Sequence, residues 1–367
     1  MASNRGFSLR GFYYNNFFVV IHKPNNSTSL PKVYQWEVPL ESIRKVVAEK
    51  GLDWSKIKEE DVVDLHGEVA DTWLALCTDD KAAPLLGRGG FAVVYYVSRS
   101  GALRIDLASK RDLPKTLAST LFRSKYGCPA RARDFQHAEV HACCFHVSLP
   151  RKLRDNDLSL SEPVGHELHR LVYEQTHTQL PLHLILTLCI GVLDCYKCLR
   201  AQNLMHGDLT LNNFVCFSDK VLMIDLDSLV SVDPKSLACT NIEGNHVAMA
   251  EMNGTPGYCS SRPPGTSPFE EDAFAVLWVV QNLVSRIRLS IVERTESGTF
   301  TIGNILPLPV YSKLLIWIYD CNALLEQYIA NPLASKDTHN LETFVAMTLK
   351  TLKELQALTH APPSNPS

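Results

Sequence analysis

The stretch LMHGDLTLNNF occupies residues 204–214 and places a carboxylate, Asp208, five residues before an amide, Asn213. It follows a long apolar run and a turn at residues 202–203, so a tight loop can bring the two side chains together. A carboxylate can orient a hydroxyl group or accept its proton, and an amide oxygen can join the ligand shell of a hard cation. Each residue alone is more often a turn or cap residue, so the surrounding sequence decides.

A second carboxylate follows shortly downstream. The stretch VLMIDLD at residues 221–227 has the apolar composition of a buried strand, and it ends at Asp225. A carboxylate that closes a strand beside Asn213 predicts a magnesium site, because Mg²⁺ prefers oxygen ligands.

A glycine cluster lies upstream, in the stretch LGRGGFAVVY at residues 86–95, between two predicted strands. Glycine has no Cβ, so its backbone N–H groups can approach a ligand closely, and phosphate oxygens are the usual guests. A plain hairpin turn also needs glycine, so both interpretations stay open for this feature alone. No helix follows the cluster, which argues against a Rossmann turn or a Walker A loop.

The hydrophobic patterns change along the chain from strand periods to helix periods. Predicted strands lie at 17–22, 33–38, 85–86, 93–97, 102–108 and 171–174. Predicted helices lie at 40–47, 134–147, 181–201, 270–286, 308–330 and 340–358. We therefore expect an α+β fold, with a ligand site at the junction of a β-rich part and a helical part.

Composition narrows the class of protein. The 367 residues include 36 Lys plus Arg and 39 Asp plus Glu, a formal net charge of −3, so a general nucleic-acid coat is not expected. The longest apolar run, residues 184–193, is shorter than the ~20 residues that cross a bilayer, and no signal-peptide core is visible. Eleven irregularly spaced cysteines favour reduced thiols. These features predict an intracellular protein, cytoplasmic or nuclear, with no membrane span.

Together these stretches resemble the eukaryotic protein-kinase superfamily. Five motifs occur in the family's order: a glycine-rich loop at 87–94, a catalytic loop at 206–213, Asp225-Leu226-Asp227 where the family has D-F-G, GTPGY at 254–258, and Asp272 near the start of a long buried helix. The resemblance covers residues 85–286 and implies a bilobal protein-kinase-like fold. Its domains would be an N-terminal extension or accessory module at 1–83, a β-rich small lobe at 84–178, a helical large lobe at 179–358 and a loose tail at 359–367.

The resemblance implies ATP and Mg²⁺ as cofactors and a protein substrate. Asp208 would orient the acceptor hydroxyl, and Asn213 and Asp225 would hold magnesium on the nucleotide phosphates. The glycine-rich loop would cover those phosphates with Gly87, Gly89, Gly90, Phe91, Ala92 and Val94.

The remaining implied residues are less well marked. Lys110, in LASK at 107–110, would be the third-strand lysine on the α- and β-phosphates, with Arg104 as its substitute. Glu139 would be its helix partner if an insertion fills the long gap between them, although a solvated helix face explains Glu139 equally. The run at 171–175 resembles the hinge strand. Tyr173 there would guard the adenine pocket, and the backbone around Glu174 and Thr176 would bond the adenine.

The departures from the family pattern leave three hypotheses open. Gly207 replaces an arginine that normally meets an activation-segment phosphate, Thr210 replaces a lysine, Asp227 replaces the glycine of D-F-G, and residues 260–262 replace A-P-E. The leading hypothesis is a divergent protein kinase that transfers the ATP γ-phosphoryl group to a Ser/Thr hydroxyl. The alternatives are a pseudokinase or nucleotide-binding scaffold, and a small-molecule kinase. The resemblance does not cover residues 1–80, through which a partner could bind.

Overall fold

The chain folds into two compact units, Met1–Gly127 with Val147–Val164, and Cys128–His146 with Gly165–Ser367. The computed structural model describes residues 7–25, 29–51, 53–54, 61–88, 92–107, 151–152, 158–161, 164–173, 180–218, 220–225, 229–241, 244–249, 252, 254–259, 266–286, 293–294, 300–301, 308–331 and 341–360.

The first unit begins with a four-stranded antiparallel sheet in the order β3-β2-β1-β4. Its strands are β1 (Phe7–Tyr14), β2 (Phe17–Pro24), β3 (Lys32–Glu37) and β4 (Val63–Asp64). The β1–β2 connection is a two-residue turn at Asn15 and Asn16, whose φ angles of 47° and 67° suit asparagine better than most residues. Two helices follow the strands, α1 (Leu40–Glu49) and α2 (Gly67–Leu76), and a 3₁₀ turn (Asp79–Lys81) ends the segment.

The glycine-rich hairpin belongs to a second, five-stranded sheet in the order β5-β6-β7-β9-β8. Its strands are β5 (Leu85–Arg88), β6 (Ala92–Val97), β7 (Gly101–Asp106), β8 (Arg151–Lys152) and β9 (Leu158–Ser161). All pairs are antiparallel, and β7 is the third strand of the sheet.

The two sheets of the first unit share one hydrophobic core. Side chains alternate along a strand, so each strand offers every second residue to one face. The core takes these residues from both sheets: Phe12, Tyr14, Val19, Ile21, Val33, Val93, Tyr95, Val97, Leu103, Ile105, Leu158 and Leu160. The other face of the N-terminal sheet packs against the helical segments through Phe18, Val20, Ile43, Val47 and Trp73. The segment predicted as an extension is therefore a structural layer of the unit that carries the glycine-rich hairpin.

The second unit is mainly helical. Its helices are α3 (Leu168–Tyr173), α4 (Leu182–Ala201), α5 (Pro268–Val284), α6 (Leu308–Ala330) and α7 (Leu341–His360). One small sheet has the order β10-β12-β13, with β10 (His166–Glu167), β12 (Phe214–Phe217) and β13 (Lys220–Met223). Another has the order β11-β14-β15-β16, with β11 (Leu204–Met205), β14 (Val230–Val232), β15 (Cys239–Thr240) and β16 (His246–Val247). The pair β17 (Glu293–Arg294) and β18 (Phe300–Thr301) forms a third.

Helix α4 is the central packing element of this unit. It contacts α5, α7 and β13, and its buried residues include Leu186, Cys189, Leu193 and Leu199, all fully inaccessible to solvent. Among the described residues it is also the one helix long and apolar enough to cross a membrane, with half of its most apolar window buried. Burial of this kind is typical of a core helix, which is compatible with a chain that does not span a membrane.

Most predicted elements are confirmed. The strands at 17–22, 33–38 and 93–97 and the four long helices after residue 180 lie within a few residues of their predicted positions. The predicted strand at 171–174 is wrong, because Leu171, Val172 and Tyr173 end helix α3. Leu168 and Val172, four residues apart, form one buried helical face, a pattern that a four-residue window cannot separate from a strand. The helix predicted at 134–147 lies outside the described residues.

Glycine 191 provides a test of the α4 packing. Alanine normally favours a helix over glycine by ~1 kcal/mol. A Cβ at Gly191, however, would lie 2.6 Å from Cγ2 and 2.7 Å from Cβ of Val221 on β13. We expect Gly191→Ala to lower the free energy of unfolding by about 1–2 kcal/mol, because overpacking outweighs propensity.

Urea denaturation of Gly191→Ala, with and without Val221→Gly, measures this coupling. With Val221→Gly present, the clash is gone and Gly191→Ala should become stabilising. A stabilising Gly191→Ala in the otherwise unchanged protein would contradict the close packing.

Candidate active site

The loop at residues 206–213 is anchored by a buried carboxylate. Asp272, on α5, is 2% exposed, and its Oδ2 accepts a hydrogen bond from the His206 N–H at 2.6 Å. Its Oδ1 accepts from the Gly207 N–H at 2.9 Å. Charge-assisted bonds of this kind satisfy a buried charge, and the nearby N-terminus of α5 favours a negative group. Asp272 therefore fixes the backbone of the loop just before Asp208.

The backbone conformation at residue 207 accounts for a glycine where the family pattern has an arginine. The φ angle of Gly207 is +79°, in the left-handed region where a side chain is strained and glycine is not. The loop turns sharply here between His206 and Asp208, and glycine allows that turn without strain.

His206 connects the loop to the strand that leads to Asp225. The ring is fully buried; Nδ1 accepts a hydrogen bond from the Asp208 N–H at 3.3 Å, and Nε2 donates to the Ile224 carbonyl at 3.3 Å. A backbone N–H can only donate and a carbonyl can only accept, so these partners assign a neutral imidazole with its proton on Nε2. Burial also lowers the pKa of His206, although Asp225 and Asp208 act in the opposite direction. His206 is thus a structural bridge.

Asp208 is held by two different segments. Its Oδ1 accepts hydrogen bonds from the N–H and the Oγ1 of Thr255, at 2.8 Å and 2.7 Å. Its Oδ2 accepts from Asn213 Nδ2 at 3.1 Å. A carboxylate oxygen can accept two hydrogen bonds, so Oδ2 keeps capacity for a further donor. The sequence placed Thr255 only in the GTPGY motif, and its contact with Asp208 was not predicted.

Asn213 has its amide orientation fixed by its partners. Nδ2 donates to the carbonyl and the carboxylate of Asp208, at 2.8 Å and 3.1 Å, so the other amide atom is the oxygen Oδ1. No donor to this Oδ1 is present among the described residues. The Ile224 N–H donates to the Asn213 carbonyl at 2.8 Å, and Asp225 is the residue that follows Ile224. Asn213 and Asp225 are therefore brought to the same end of the β12–β13 ladder.

These two side chains supply oxygen ligands. Asp225 is exposed, with a φ angle of +59°, and lies two residues after the end of β13 at Met223. A carboxylate and an amide oxygen suit Mg²⁺, which keeps waters and phosphate oxygens in its other positions, better than they suit zinc. In the described part of the chain, no group of three or more His, Cys, Asp or Glu side chains could hold a metal. A site of one amide and one carboxylate does not meet that criterion, and it fits the magnesium prediction chemically.

The β14–β15 hairpin downstream of Asp225 is held by a sheet and a hydrophobic cluster. Strands β14 and β15 pair, and Asp233 closes their turn by accepting from the N–H groups of Lys235 and Ser236 at 2.7 Å and 3.0 Å. The hairpin packs on a core that joins β11, the hairpin and α5: Met205, Val230, Val232, Cys239 and Phe269. Downstream, the Tyr258 N–H donates to the Thr255 carbonyl at 3.0 Å. Strand pairing and apolar packing thus hold this segment.

The first turns of α5 carry two further buried acids. Glu270 Oε2 accepts from the Leu341 N–H at 2.9 Å, and Glu271 Oε1 accepts from the Tyr328 hydroxyl at 2.9 Å. Burial raises the pKa of Glu270 to about 7, while the N–H of Leu341 opposes that rise. Nearby, Arg200 Nε pairs with Glu342 Oε2 at 2.5 Å. These contacts join the ends of α4, α5 and α7.

The first unit holds part of the predicted phosphate-binding set. Gly87 on β5 lies opposite Val94 on β6, and Ala92 lies opposite Asp106 on β7. Residues Gly89, Gly90, Phe91, Lys110, Glu139, Glu174 and Thr176 lie outside the described residues.

The basic residue on the third strand is Arg104. It lies opposite Val94, and its Nε pairs with Asp106 Oδ1 at 3.0 Å. Strand β7 ends at Asp106, before Lys110. Arg104, the predicted substitute for Lys110, is thus the basic residue on strand β7.

Tyr173 lies in a different environment from the predicted hinge. It ends helix α3 in the second unit, and the chain leaves the first unit already at Val164. Its side chain is 38% exposed, and its hydroxyl donates to Asn282 Oδ1 on α5 at 3.2 Å. The strand prediction is thus wrong for Leu171–Tyr173, whereas the adenine-binding roles of Tyr173, Glu174 and Thr176 stay predictions.

The chain matches no protein-family model, and no curated protein sequence matches it. The resemblance to protein kinases therefore rests on the five motifs and on the local geometry of their residues.

Gly207 can be tested by a single methyl group. Gly207→Ala should lower the free energy of unfolding by about 1–2 kcal/mol, because alanine is strained at a φ of +79°. Gly244→Ala should show a similar loss, because Gly244 has a φ of +88° and nothing within 4 Å of an added Cβ, so it isolates the backbone strain from contacts. Chemical denaturation of both variants gives the cost. A Gly207→Ala protein as stable as the original would contradict the assigned backbone conformation.

Glu270 predicts a pH dependence of stability. Its pKa is about 7 in the folded chain against 4.5 in the unfolded chain, so the folded state binds more protons between these values. Its contribution is complete below pH 4.5 and is lost as pH rises through 7. Glu270→Gln removes this loss, so the variant should gain about 1–3 kcal/mol relative to the unchanged protein between pH 5 and pH 8.

Urea denaturation at both pH values measures the gain, and Glu326→Gln, at an exposed position on α6, is the control. His206 titrates in both proteins, so its contribution cancels in the comparison. A difference that stays constant from pH 5 to pH 8 would contradict the raised pKa.

Proposed function

We propose that the chain is a divergent protein kinase that transfers the γ-phosphoryl group of ATP to a hydroxyl of a protein substrate. The observation that carries this proposal is the clamp on Asp208. Thr255 of the GTPGY segment holds Oδ1, Asn213 holds Oδ2, and Asp272 anchors the loop backbone. Four of the five recognised motifs are thus joined by hydrogen bonds within one unit: Thr255 and Asn213 bond the Asp208 carboxylate, Asp272 bonds the loop backbone, and the His206 ring bonds the Ile224 carbonyl just before Asp225.

The resemblance to protein kinases, with the hydrogen bonds above, supports the following roles. Asp208 Oδ2 would accept a hydrogen bond from the acceptor hydroxyl and orient its oxygen for attack. Asn213 Oδ1 and the Asp225 carboxylate would hold Mg²⁺, which when bound supplies positive charge to the nucleotide phosphates. The neutral His206 keeps the loop and the β13 end in register and takes no part in proton transfer. The proposed catalysis is therefore positioning and electrostatic stabilisation.

The proposal includes an activation segment that needs no phosphate. Gly207 supplies no guanidinium for such a phosphate, and the β14–β15 hairpin is ordered by its sheet, its Asp233 turn and its apolar core. Ser231, Ser236 and Thr240 lie on this hairpin as hydroxyl groups that a kinase could modify. Their modification would not be required for activity.

A second candidate is a nucleotide-binding scaffold without transfer. The observation that favours it is Arg104, which stands on the third strand where the lysine is expected and pairs with Asp106 at 3.0 Å. An arginine is not equivalent to a lysine as a phosphate ligand, because its planar fork differs in shape and donor geometry from an ammonium group.

Two isosteric variants distinguish the roles of the acids. Asp225→Asn should weaken magnesium-nucleotide binding strongly, because a ligand charge is lost. Asp208→Asn should leave nucleotide affinity within a few-fold and lower turnover by ~10² or more, because Asp208 acts mainly during transfer. Calorimetric titration with ATP and Mg²⁺, beside single-turnover transfer to a generic protein acceptor, measures both effects.

The control is Asp320→Asn at an exposed position on α6, which should change neither quantity. Equal losses of nucleotide affinity in the two variants would contradict the separate roles. Nucleotide binding by the unchanged protein, with no transfer above the Asp208→Asn background on several acceptors, would favour the scaffold.

A further inference from the structure

A cluster of aromatic and cationic side chains lies beside the catalytic loop. The guanidinium carbon of Arg286, just past the end of α5, stands 4.4 Å from the ring centroid of Tyr173. The His169 ring packs on the same tyrosine at 4.7 Å between centroids. The Tyr173 hydroxyl bonds Asn282 Oδ1 at 3.2 Å, so the ring is fixed at both its face and its tip. Arg286 thus rests on an oriented platform.

This cluster is close to the proposed acceptor position. Helix α3, which carries Tyr173, contacts the 3₁₀ turn Leu211–Asn213 directly. Tyr258 reaches the same turn, because its hydroxyl interacts with the Leu211 backbone; burial, and then the nearby Tyr173, raise the pKa of Tyr258. Tyr258 follows Thr255, whose hydroxyl binds Asp208. The platform therefore adjoins the two segments that hold the Asp208 carboxylate.

Arg286 has an exposed side chain. No carboxylate pairs with it in the part of the chain that the structure describes. Glu167, on β10 just before α3, pairs with Arg170 at 3.3 Å. A guanidinium held flat on a ring loses less rotational freedom on binding than a free one, and its fork fits a carboxylate.

We propose that Arg286, oriented by Tyr173, recognises a carboxylate side chain of the acceptor polypeptide near the hydroxyl that is phosphorylated. This rests on the proposed function and deepens it, because it names an acidic protein segment as the substrate class. Arg286 is then a specificity residue, and Tyr173 is its positioning residue.

The test uses the full chain and synthetic peptides with one serine acceptor in a neutral background. Glutamate, glutamine or phosphoserine is placed in turn at each of three positions on either side. We expect the best glutamate peptide to have a KM about three- to tenfold below its glutamine counterpart at equal kcat, a gap that shrinks in high salt. Arg286→Gln should abolish the gap, Tyr173→Ala should reduce it, and Tyr173→Phe should keep the ring and most of the preference.

Lys313→Gln, at an exposed lysine on α6, is the control and should keep the preference. The same peptides are also titrated by fluorescence anisotropy with Mg²⁺ and a non-hydrolysable ATP analogue, so the inference is decided even if no transfer occurs. If no transfer occurs, but the protein prefers glutamate peptides and Arg286→Gln abolishes that preference, the proposed function is wrong and the inference about Arg286 stands. Equal Kd values for glutamate and glutamine peptides, or a preference that survives Arg286→Gln, would overturn the inference. If only the phosphoserine peptides are preferred, the ligand of Arg286 is a phosphate, and the proposed carboxylate ligand is wrong.

Discussion

Two consecutive backbone N–H groups, those of His206 and Gly207, end on one buried carboxylate, that of Asp272. The arrangement constrains both partners. A buried carboxylate without donors would cost several kcal/mol, and a loop without this anchor could not hold Asp208 against Thr255 and Asn213. The left-handed turn at Gly207 follows from the same constraint, because both N–H groups must point at one side chain. The candidate site is thus built on the start of α5.

The sequence predicted the parts of the fold that have long periodic patterns. The four long helices after residue 180 and the hairpin strands carry regular spacing over many residues, which is why they are confirmed. The prediction at 171–174 failed because three apolar or aromatic residues followed by a glutamate fit a strand and a helix end equally. The shared core of the two sheets could not be predicted, because the residues that meet in it are separated by some 70 positions along the chain.

The candidate site was predictable to a similar extent. Asp208, Asn213 and Asp225 were recognised from the order of their motifs, and the structure brings them to one loop and one ladder end. Thr255 and Asp208, which are in contact, lie 47 residues apart in the sequence, and no local pattern predicts this contact. The residues before Lys110 resemble a family motif, which favours Lys110 over Arg104 as the basic residue of the third strand. Strand β7, which carries Arg104, ends at Asp106. Sequence spacing alone does not show where a strand stops.

The two proposed functions rest on two charges, those of Asp208 and Arg104, that the structure holds in different ways. The Asp208 carboxylate is oriented by three hydrogen bonds from Thr255 and Asn213, as a group that must meet a hydroxyl would be. The Arg104 guanidinium is paired with Asp106 on its own strand, although each side chain keeps about a quarter of its surface exposed. Arg104 is thus held on its own strand by a mostly buried ion pair, whereas Asp208 is held by uncharged donors.

The common core of the two sheets also determines how the first unit unfolds. Phe12, Val19 and Ile21 of the N-terminal sheet pack in one core with Val93 and Leu103 of the five-stranded sheet. Separation of the two sheets would therefore expose apolar side chains of both. Amide protons of β1 and β2 should then exchange with solvent together with those of β6 and β7, as one cooperative unit. A fragment that began at residue 84 would leave one face of the five-stranded sheet in water, and such a face is prone to aggregation. The smallest part of the chain able to present the glycine-rich hairpin therefore starts at the first strand.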